Sequence, residues 1–158
     1  MARTEAAPPA PRLARPDARI AAVVAGFHRA LSERLLAGTR ERLAEAGLAD
    51  GNLDVHWVPG AYELPFAARE VARRGRHAAV IAIGVVIRGE TPHFDHICHA
   101  AATGLQAVAL ETGVPCTFGV LTVETHAQAE ARAGGAVGNA GADAADAAVA
   151  LANLVATP

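Results

Sequence analysis

Short runs of apolar residues alternate along the chain with longer segments in which apolar side chains recur every three or four positions. The runs cover residues 19–26, 52–58, 78–87 and 115–123, and the third is apolar on both of its faces. A short apolar run bounded by turn residues is typical of a strand that helices cover on either side. The pattern therefore predicts four strands of a parallel sheet.

The longer segments carry the pattern of amphipathic helices. In residues 28–47, one stripe of the predicted helix holds Leu31, Leu35, Leu36 and Leu43. Similar segments predict further helices at residues 63–75, 93–111, 125–134 and 141–156. Because right-handed crossovers place helices on both faces of a parallel sheet, this order predicts an α/β fold, a three-layer α/β/α sandwich with a four-stranded parallel sheet.

The first residues of the chain do not share this periodicity. Residues 1–17 are rich in Pro, Ala and Arg, a composition that predicts a disordered or extended tail. Residues 18–158 then form one domain. With 158 residues, 52% of them apolar, the chain is long enough to bury a proper core.

The net charge, the length of the apolar runs and the cysteines bear on the binding partners and the location of the protein. The formal net charge is −2, so no basic field is present to attract nucleic acid or an anionic membrane surface. The apolar runs are shorter than the roughly 20 residues of a membrane-spanning helix. Cys98 and Cys116 have neither metal-ligand spacing nor a disulfide pattern, which predicts a reducing, cytoplasmic location.

The unusual residues follow the first three predicted strands. Phe27 comes after the first strand, residues 59–63 (PGAYE) after the second and residues 88–93 (RGETPH) after the third. In parallel α/β sheets, ligands bind beyond the carboxyl ends of the strands. We therefore expect these three turns to form the binding site.

The third turn has the composition of an anion site. Gly89 permits a tight turn, Thr91 is a good N-cap, and Pro92 suits the first position of a helix. The free amides of Gly89, Glu90 and Thr91, together with the helix dipole, would then bind a phosphate. The alternative is that the same residues simply cap the helix.

His93 adds chemistry to this turn. An imidazole in the first helical turn beside a bound anion can transfer protons near neutral pH. His93, His96 and His99 are too widely spread around a helix to share a metal ion, so no metal is expected. The scattered histidines are interpreted as solvated or structural, namely His28, His56, His77 and His126.

Taken together, these motifs resemble the lumazine synthase family. They are Phe27, VPGAYELP at 58–65, AIGVVIRGETPHFD at 82–95, FGVLT at 118–122 and QAEARAGGAVGNAG at 128–141. The resemblance implies a flavodoxin-like sandwich that assembles as pentamers or as a 60-subunit icosahedral shell, with active sites between subunits. It implies the condensation of 5-amino-6-(D-ribitylamino)uracil with 3,4-dihydroxy-2-butanone 4-phosphate in riboflavin biosynthesis, with release of phosphate and water and without a cofactor.

The resemblance also implies roles for single residues at the pyrimidine end of the site. Phe27 would stack on the pyrimidine ring, and Glu63 would accept hydrogen bonds from the ribityl chain. Phe118 of the adjacent subunit would close the ring pocket. Backbone groups would recognise the polar edges of the substrate at Ala61, Tyr62, Val85, Val86 and Ile87.

At the phosphate end, the turn of Gly89, Glu90 and Thr91 would hold the substrate phosphate, and His93 would shuttle protons. Arg132 of the adjacent subunit would pair with the phosphate, a contact suited to a planar guanidinium. Taken alone, Arg132 would be a solvated helix charge.

The chain departs from the family pattern in three places. Ala140 replaces a lysine near the phosphate site, and Ala131 and Ala136 stand where relatives often have a glutamate and a lysine. We expect an active enzyme with weakened phosphate binding. Two alternatives remain, a shell-forming or flavin- or lumazine-binding paralogue with reduced catalysis, and a flavodoxin-like phosphate-binding regulator.

Overall fold

A computed structural model describes residues 9–158 of the chain. Four strands form the main sheet: β1 (Ile20–Ala25), β2 (Leu53–Val58), β3 (Ala79–Ile87) and β4 (Cys116–Val123). Five helices accompany them: α1 (Arg29–Glu45), α2 (Leu64–Ala72), α3 (His93–Thr112), α4 (His126–Arg132) and α5 (Ala140–Ala156). Each predicted strand and helix is present, with ends that shift by up to three residues.

The four strands form a parallel sheet in the order β2-β1-β3-β4. All six residues of β1 are buried, whereas every residue of the edge strand β2 is half-buried. Central position explains the unbroken apolar sequences of β1 and β3, because helices cover both of their faces. The predicted α/β sandwich with a four-stranded parallel sheet is confirmed.

Alternate residues of β1 enter two separate cores. Ile20, Ala22 and Val24 pack with α1 and α5 on one face of the sheet, and Ala21 and Val23 pack with α2 and α3 on the other. The predicted leucine stripe of α1 is buried in the first core. Each fully buried leucine contributes about 1.5 to 3 kcal/mol to folding.

The helices α1 and α5 approach each other closely where α5 begins. A Cβ atom on Gly141 would overlap the carbonyl oxygen of Leu35 and the hydroxyl of Thr39. Asn139 caps α5, since its Oδ1 accepts the Gly141 N–H at 2.9 Å, and its Nδ2 donates to the Arg34 carbonyl at 3.1 Å. The cap thus fixes the start of α5 against α1.

A small hairpin between α4 and α5 is absent from the sequence-based prediction. Its strands are β5 (Ala133–Gly135) and β6 (Gly138–Asn139), which pair antiparallel. Gly134 and Gly138 adopt φ values of 88° and 125°, a region that favours glycine. The helix predicted for residues 125–134 therefore ends at Arg132.

Part of the predicted tail is anchored to the domain. The Leu13 side chain is buried, and its N–H donates to the Ala46 carbonyl at 2.9 Å. Asn153 of α5 bonds both neighbours of Leu13, through the Ala14 N–H and the Arg12 carbonyl, each at 2.8 Å. Residues 1–8 of the predicted tail lie outside the described part.

Within residues 9–158, every helix is too short or too polar to cross a membrane.

Candidate active site

A cavity of about 530 Å³ opens at the carboxyl ends of β1, β2 and β3. This is the sheet edge at which the sequence predicts a site. The three predicted turns meet there, and ten of the residues predicted to bind or react line it: Phe27, Ala61, Tyr62, Glu63, Val85, Val86, Ile87, Gly89, Thr91 and His93.

Phe27 presents its ring to the cavity from the turn after β1. The turn is fixed on both sides, because the Gly26 N–H donates to the Val58 carbonyl at 2.8 Å and the buried Ser32 hydroxyl donates to the Ala25 carbonyl at 2.7 Å. The Phe27 ring itself is 80% exposed and meets the His28 ring edge-on, with 5.1 Å between centroids. An open aromatic face on a rigid turn is suited to stacking with a planar heterocycle.

The turn after β2 is a short 3-10 helix over Ala61–Glu63. The Glu63 carboxylate accepts the Gly60 N–H at 2.9 Å, which closes the turn. Tyr62 is 62% exposed beside it, while Ala61 is buried. The turn therefore brings a carboxylate and peptide groups to the cavity wall.

The turn after β3 leaves several amides available to a ligand. Within residues 9–158, the N–H groups of Gly89, Glu90 and Thr91 donate to no protein acceptor. Thr91 lines the cavity with Gly89, whereas Glu90 lies in the turn but not on the cavity wall. Unpaired amides at the start of a twenty-residue helix form a site suited to an anion.

The start of α3 differs by one residue from the predicted cap. The helix begins at His93, and Pro92 already has helical dihedral angles of −62° and −3°. Thr91 makes only a long hydrogen bond, 3.4 Å from its hydroxyl to the His93 N–H, rather than a strong cap. His93 is exposed on the first turn and faces the cavity beside the free amides.

Phe118 and Arg132 lie away from this cavity within the chain. Phe118 is opposite Ala82 in the sheet, three residues before Val85, the first β3 residue on the cavity wall, which is a separation of about 10 Å along the strand. It is 43% exposed. Arg132 ends α4 and donates from Nη1 to the Gln128 carbonyl at 3.1 Å. The single subunit does not bring these two residues to the other predicted ones.

Four further residues line the cavity: Gly60, which lies in the predicted turn of residues 59–63, and His28, Phe94 and Ile97, which were not predicted to line it. Ile97 follows His93 by four residues, so helical spacing could have placed it on the same face. His28 was interpreted as solvated or structural. Partial burial, and after it the positive charge of His126, lowers the pKa of His28, so its imidazole is mainly neutral at pH 7.

Neither metal ligands nor a reactive thiol accompany the cavity in the described chain. The histidine, cysteine and carboxylate side chains of residues 9–158 form no group of three or more that could hold a metal ion. Burial raises the pKa of the Cys116 thiol to about 11, which keeps it protonated at neutral pH.

Comparison with known proteins identifies the family. A family model described as 6,7-dimethyl-8-ribityllumazine synthase matches residues 17–156. A protein of that name from Coxiella burnetii (strain RSA 493 / Nine Mile phase I) is 48% identical over 137 residues, which cover 87% of this chain and 91% of the relative. A second, from Xanthomonas oryzae pv. oryzae (strain PXO99A), is 47% identical over 140 residues, or 89% and 91% of the two chains. The chain therefore belongs to the 6,7-dimethyl-8-ribityllumazine synthase family.

Proposed function

We propose that the chain is a cofactor-independent transferase that makes 6,7-dimethyl-8-ribityllumazine for riboflavin biosynthesis. Its substrates are 5-amino-6-(D-ribitylamino)uracil and 3,4-dihydroxy-2-butanone 4-phosphate, which condense with loss of phosphate and water. One observation carries the proposal. A single cavity holds an open aromatic ring, a set of peptide groups and an amide-lined turn next to an imidazole.

The pyrimidine fits the wall formed by the first two turns. The exposed ring of Phe27 stacks on the heterocycle, and peptide groups of residues 61–62 and 85–87 bond its polar edges. Glu63 accepts hydrogen bonds from the ribityl hydroxyl groups, because its second carboxylate oxygen is not needed for the bond to Gly60.

The phosphate ester fits the turn at the start of α3. The amides of Gly89, Glu90 and Thr91 donate to its oxygens, and the dipole of α3 favours its negative charge. This arrangement holds the ketone carbon next to the pyrimidine amine. Orientation of two reactants in one cavity lowers the barrier of a bimolecular condensation.

His93 transfers the protons that the reaction requires. Condensation of the pyrimidine amine with the ketone forms an imine, and both amine protons leave with the ketone oxygen as water. Elimination of phosphate breaks its ester C–O bond while a proton leaves the carbon skeleton, and closure of the new ring by the ribitylamino nitrogen releases a second water. An exposed imidazole beside the phosphate turn can accept and return these protons at neutral pH.

Neighbouring subunits complete the site in this proposal. Phe118 and Arg132 lie outside the cavity of their own chain, and Arg132 lies only half-buried at the end of a helix. Large apolar side chains are exposed on three helices, with Phe66 at 70%, Leu110 at 77% and Leu154 at 68% exposure. The exposure of such large apolar side chains supports an interface in which other copies of the chain bury them. We propose a pentamer that assembles into a 60-subunit shell.

A second candidate function is a binding paralogue with reduced catalysis. The observation that favours it is alanine at three positions, Ala131, Ala136 and Ala140, in the segment that the proposed assembly brings to the phosphate turn of a neighbouring subunit. The presence of both Phe27 and His93 in one cavity favours the active enzyme over the binding paralogue.

Mixing the purified protein with both substrates separates the two candidates. Lumazine absorbance and fluorescence should rise with time, and His93→Gln should lower kcat by about a hundredfold or more, because general acid–base catalysis is lost. Tight binding of lumazine without turnover would instead identify the binding paralogue. Light scattering of the same sample separates a pentamer from a shell.

A further inference from the structure

Arg88 connects three segments at the rim of the cavity without lining the cavity itself. Its N–H donates to the Val123 carbonyl at 2.9 Å and so extends the pairing of β3 with β4 by one residue. Its Nε donates to Oε2 of Glu124 at 2.7 Å. Its two terminal nitrogens donate to the two oxygens of Asp95, at 3.2 and 3.1 Å.

The same guanidinium also contacts the first turn of α3 through an aromatic ring. Its Cζ is 4.3 Å from the centroid of the Phe94 ring. Phe94 is buried, lines the cavity and directly follows His93. Arg88 therefore holds α3 through a carboxylate on one residue and through an aromatic face on its neighbour.

These contacts specify geometry more than they add stability. The side chains of Arg88, Asp95 and Glu124 are 38%, 60% and 58% exposed, and exposed ion pairs contribute little to folding. A planar guanidinium that donates to both oxygens of one carboxylate and also contacts an aromatic ring has few alternative orientations. The Arg88 guanidinium lowers the pKa of Asp95, so the carboxylate stays ionised for this contact at neutral pH.

We propose that Arg88 is a positioning residue that fixes the first turn of α3, so that the amides of residues 89–91 and the His93 imidazole face the same phosphate ester. The proposal rests on the function proposed above. It assigns Arg88 no contact with substrate, because the side chain is absent from the cavity wall within the described residues.

The chain contains a matched control for this arginine. Arg69 is also 38% exposed and pairs with a carboxylate of α3, Glu111, at 3.4 Å. Glu111 lies near the carboxyl end of α3, far along the helix from His93. Arg88→Lys and Arg69→Lys both keep the charge and remove the planar fork.

Steady-state kinetics with both substrates tests the proposal. Arg88→Lys should raise the KM for the butanone phosphate about tenfold or more, as expected from displacement of binding groups by a fraction of an ångström to an ångström. The KM for the pyrimidine should stay close to wild type, and Arg69→Lys should leave both constants unchanged. Thermal unfolding and elution volume should be alike for the two variants.

Inorganic phosphate gives a readout that does not need turnover. Its dissociation constant, measured by phosphorus NMR titration, should rise in Arg88→Lys by a factor similar to the rise in KM. Equal behaviour of the two lysine variants, or an equal rise in both Michaelis constants, would overturn the positioning role. Absence of lumazine formation by the wild type would instead reject the proposed function, and the phosphate titration would still test Arg88.

Discussion

Ala140 occupies the first position of α5, directly after the Asn139 cap. If this residue of one subunit faces the phosphate turn of the next, a lysine there would add a cation near the bound ester. Ala140→Lys should then lower the KM for the butanone phosphate about fivefold, equivalent to roughly 1 kcal/mol. The KM for the pyrimidine should not change.

Ala147→Lys is the control for added charge, since it places a lysine on an exposed position of the same helix. Ala140→Lys should also lower the melting temperature slightly, because a cation at a helix N-terminus opposes the dipole. An unchanged KM in Ala140→Lys would show that Ala140 does not face the phosphate.

Asp54 lies between Arg19 and His77 in a cluster of charged and polar side chains. The Arg19 guanidinium, and after it the His77 imidazole, holds the pKa of Asp54 well below its usual range. Arg19 Nη2 lies 2.7 Å from one carboxylate oxygen, and the buried His77 lies 2.7 Å from the other. Because the folded pKa is depressed, ionised Asp54 stabilises the fold above the ordinary carboxyl pKa of about 4.

Asp54→Asn should lower the free energy of unfolding at pH 7 by roughly 1 to 3 kcal/mol. The difference from wild type should shrink as the pH falls below about 4 towards the folded pKa, where wild type also loses the charge. Urea unfolding at pH 7 and below 4 measures it, with the exposed Asp50→Asn as a control. A difference that is constant over this range would contradict the ion-pair account.

At the scale of elements, the close contact between α1 and α5 leaves no room for a side chain at Gly141 of α5. Ala in place of Gly favours a free helix by about 1 kcal/mol. At Gly141 the added Cβ would meet the backbone of Leu35, which cannot rotate away. Gly141→Ala should therefore destabilise the fold by about 1 to 3 kcal/mol.

Thermal or chemical unfolding measures this change. Ala147→Gly, on an exposed face of α5, gives the propensity effect by itself and should cost about 1 kcal/mol. Stabilisation by Gly141→Ala would mean that α5 can move away from α1 without loss.

Elements predicted from apolar patterning agree with the structure where burial alone decides them. The sequence alone was enough to predict β3 and the leucine stripe of α1. A strand buried on both faces is a continuous apolar run, and a helix buried on one face has apolar residues every three or four positions. The hairpin of β5 and β6 leaves no such period, since it is short and rich in glycine. Its geometry depends on positive φ at Gly134 and Gly138, which patterning does not reveal.

The candidate site divides in the same way. Phe27, residues 61–63 and residues 89–93 could be brought together from sequence, because the carboxyl ends of parallel strands meet at one sheet edge. His28 also lines the cavity directly after Phe27, although its isolated position in the sequence predicted only a solvated or structural role. Phe118 lies away from the cavity because of the strand register, which local sequence does not specify.

At the scale of the whole molecule, the residues of the proposed site fall at two separate places on one chain. The cavity with His93 lies at the carboxyl ends of β1, β2 and β3, whereas Phe118 is the third residue of β4 and Arg132 ends α4. If the assembly joins these parts, His93 of one subunit works with Arg132 of the next. Activity then depends on which copies are neighbours, so mixed assemblies test the arrangement directly.

Two mixtures distinguish sites between subunits from sites within one subunit. Random coassembly of equal amounts of His93→Gln and Arg132→Gln copies should give intact sites at about a quarter of the interfaces, although each variant alone is impaired. Coassembly of wild type with the double variant should also give about a quarter, since both residues must come from wild-type neighbours. Sites within one subunit would give no recovery in the first mixture and about half of wild-type activity in the second. Initial rates of lumazine formation per subunit, measured after coexpression, therefore decide whether the two partial sites belong to one catalytic centre.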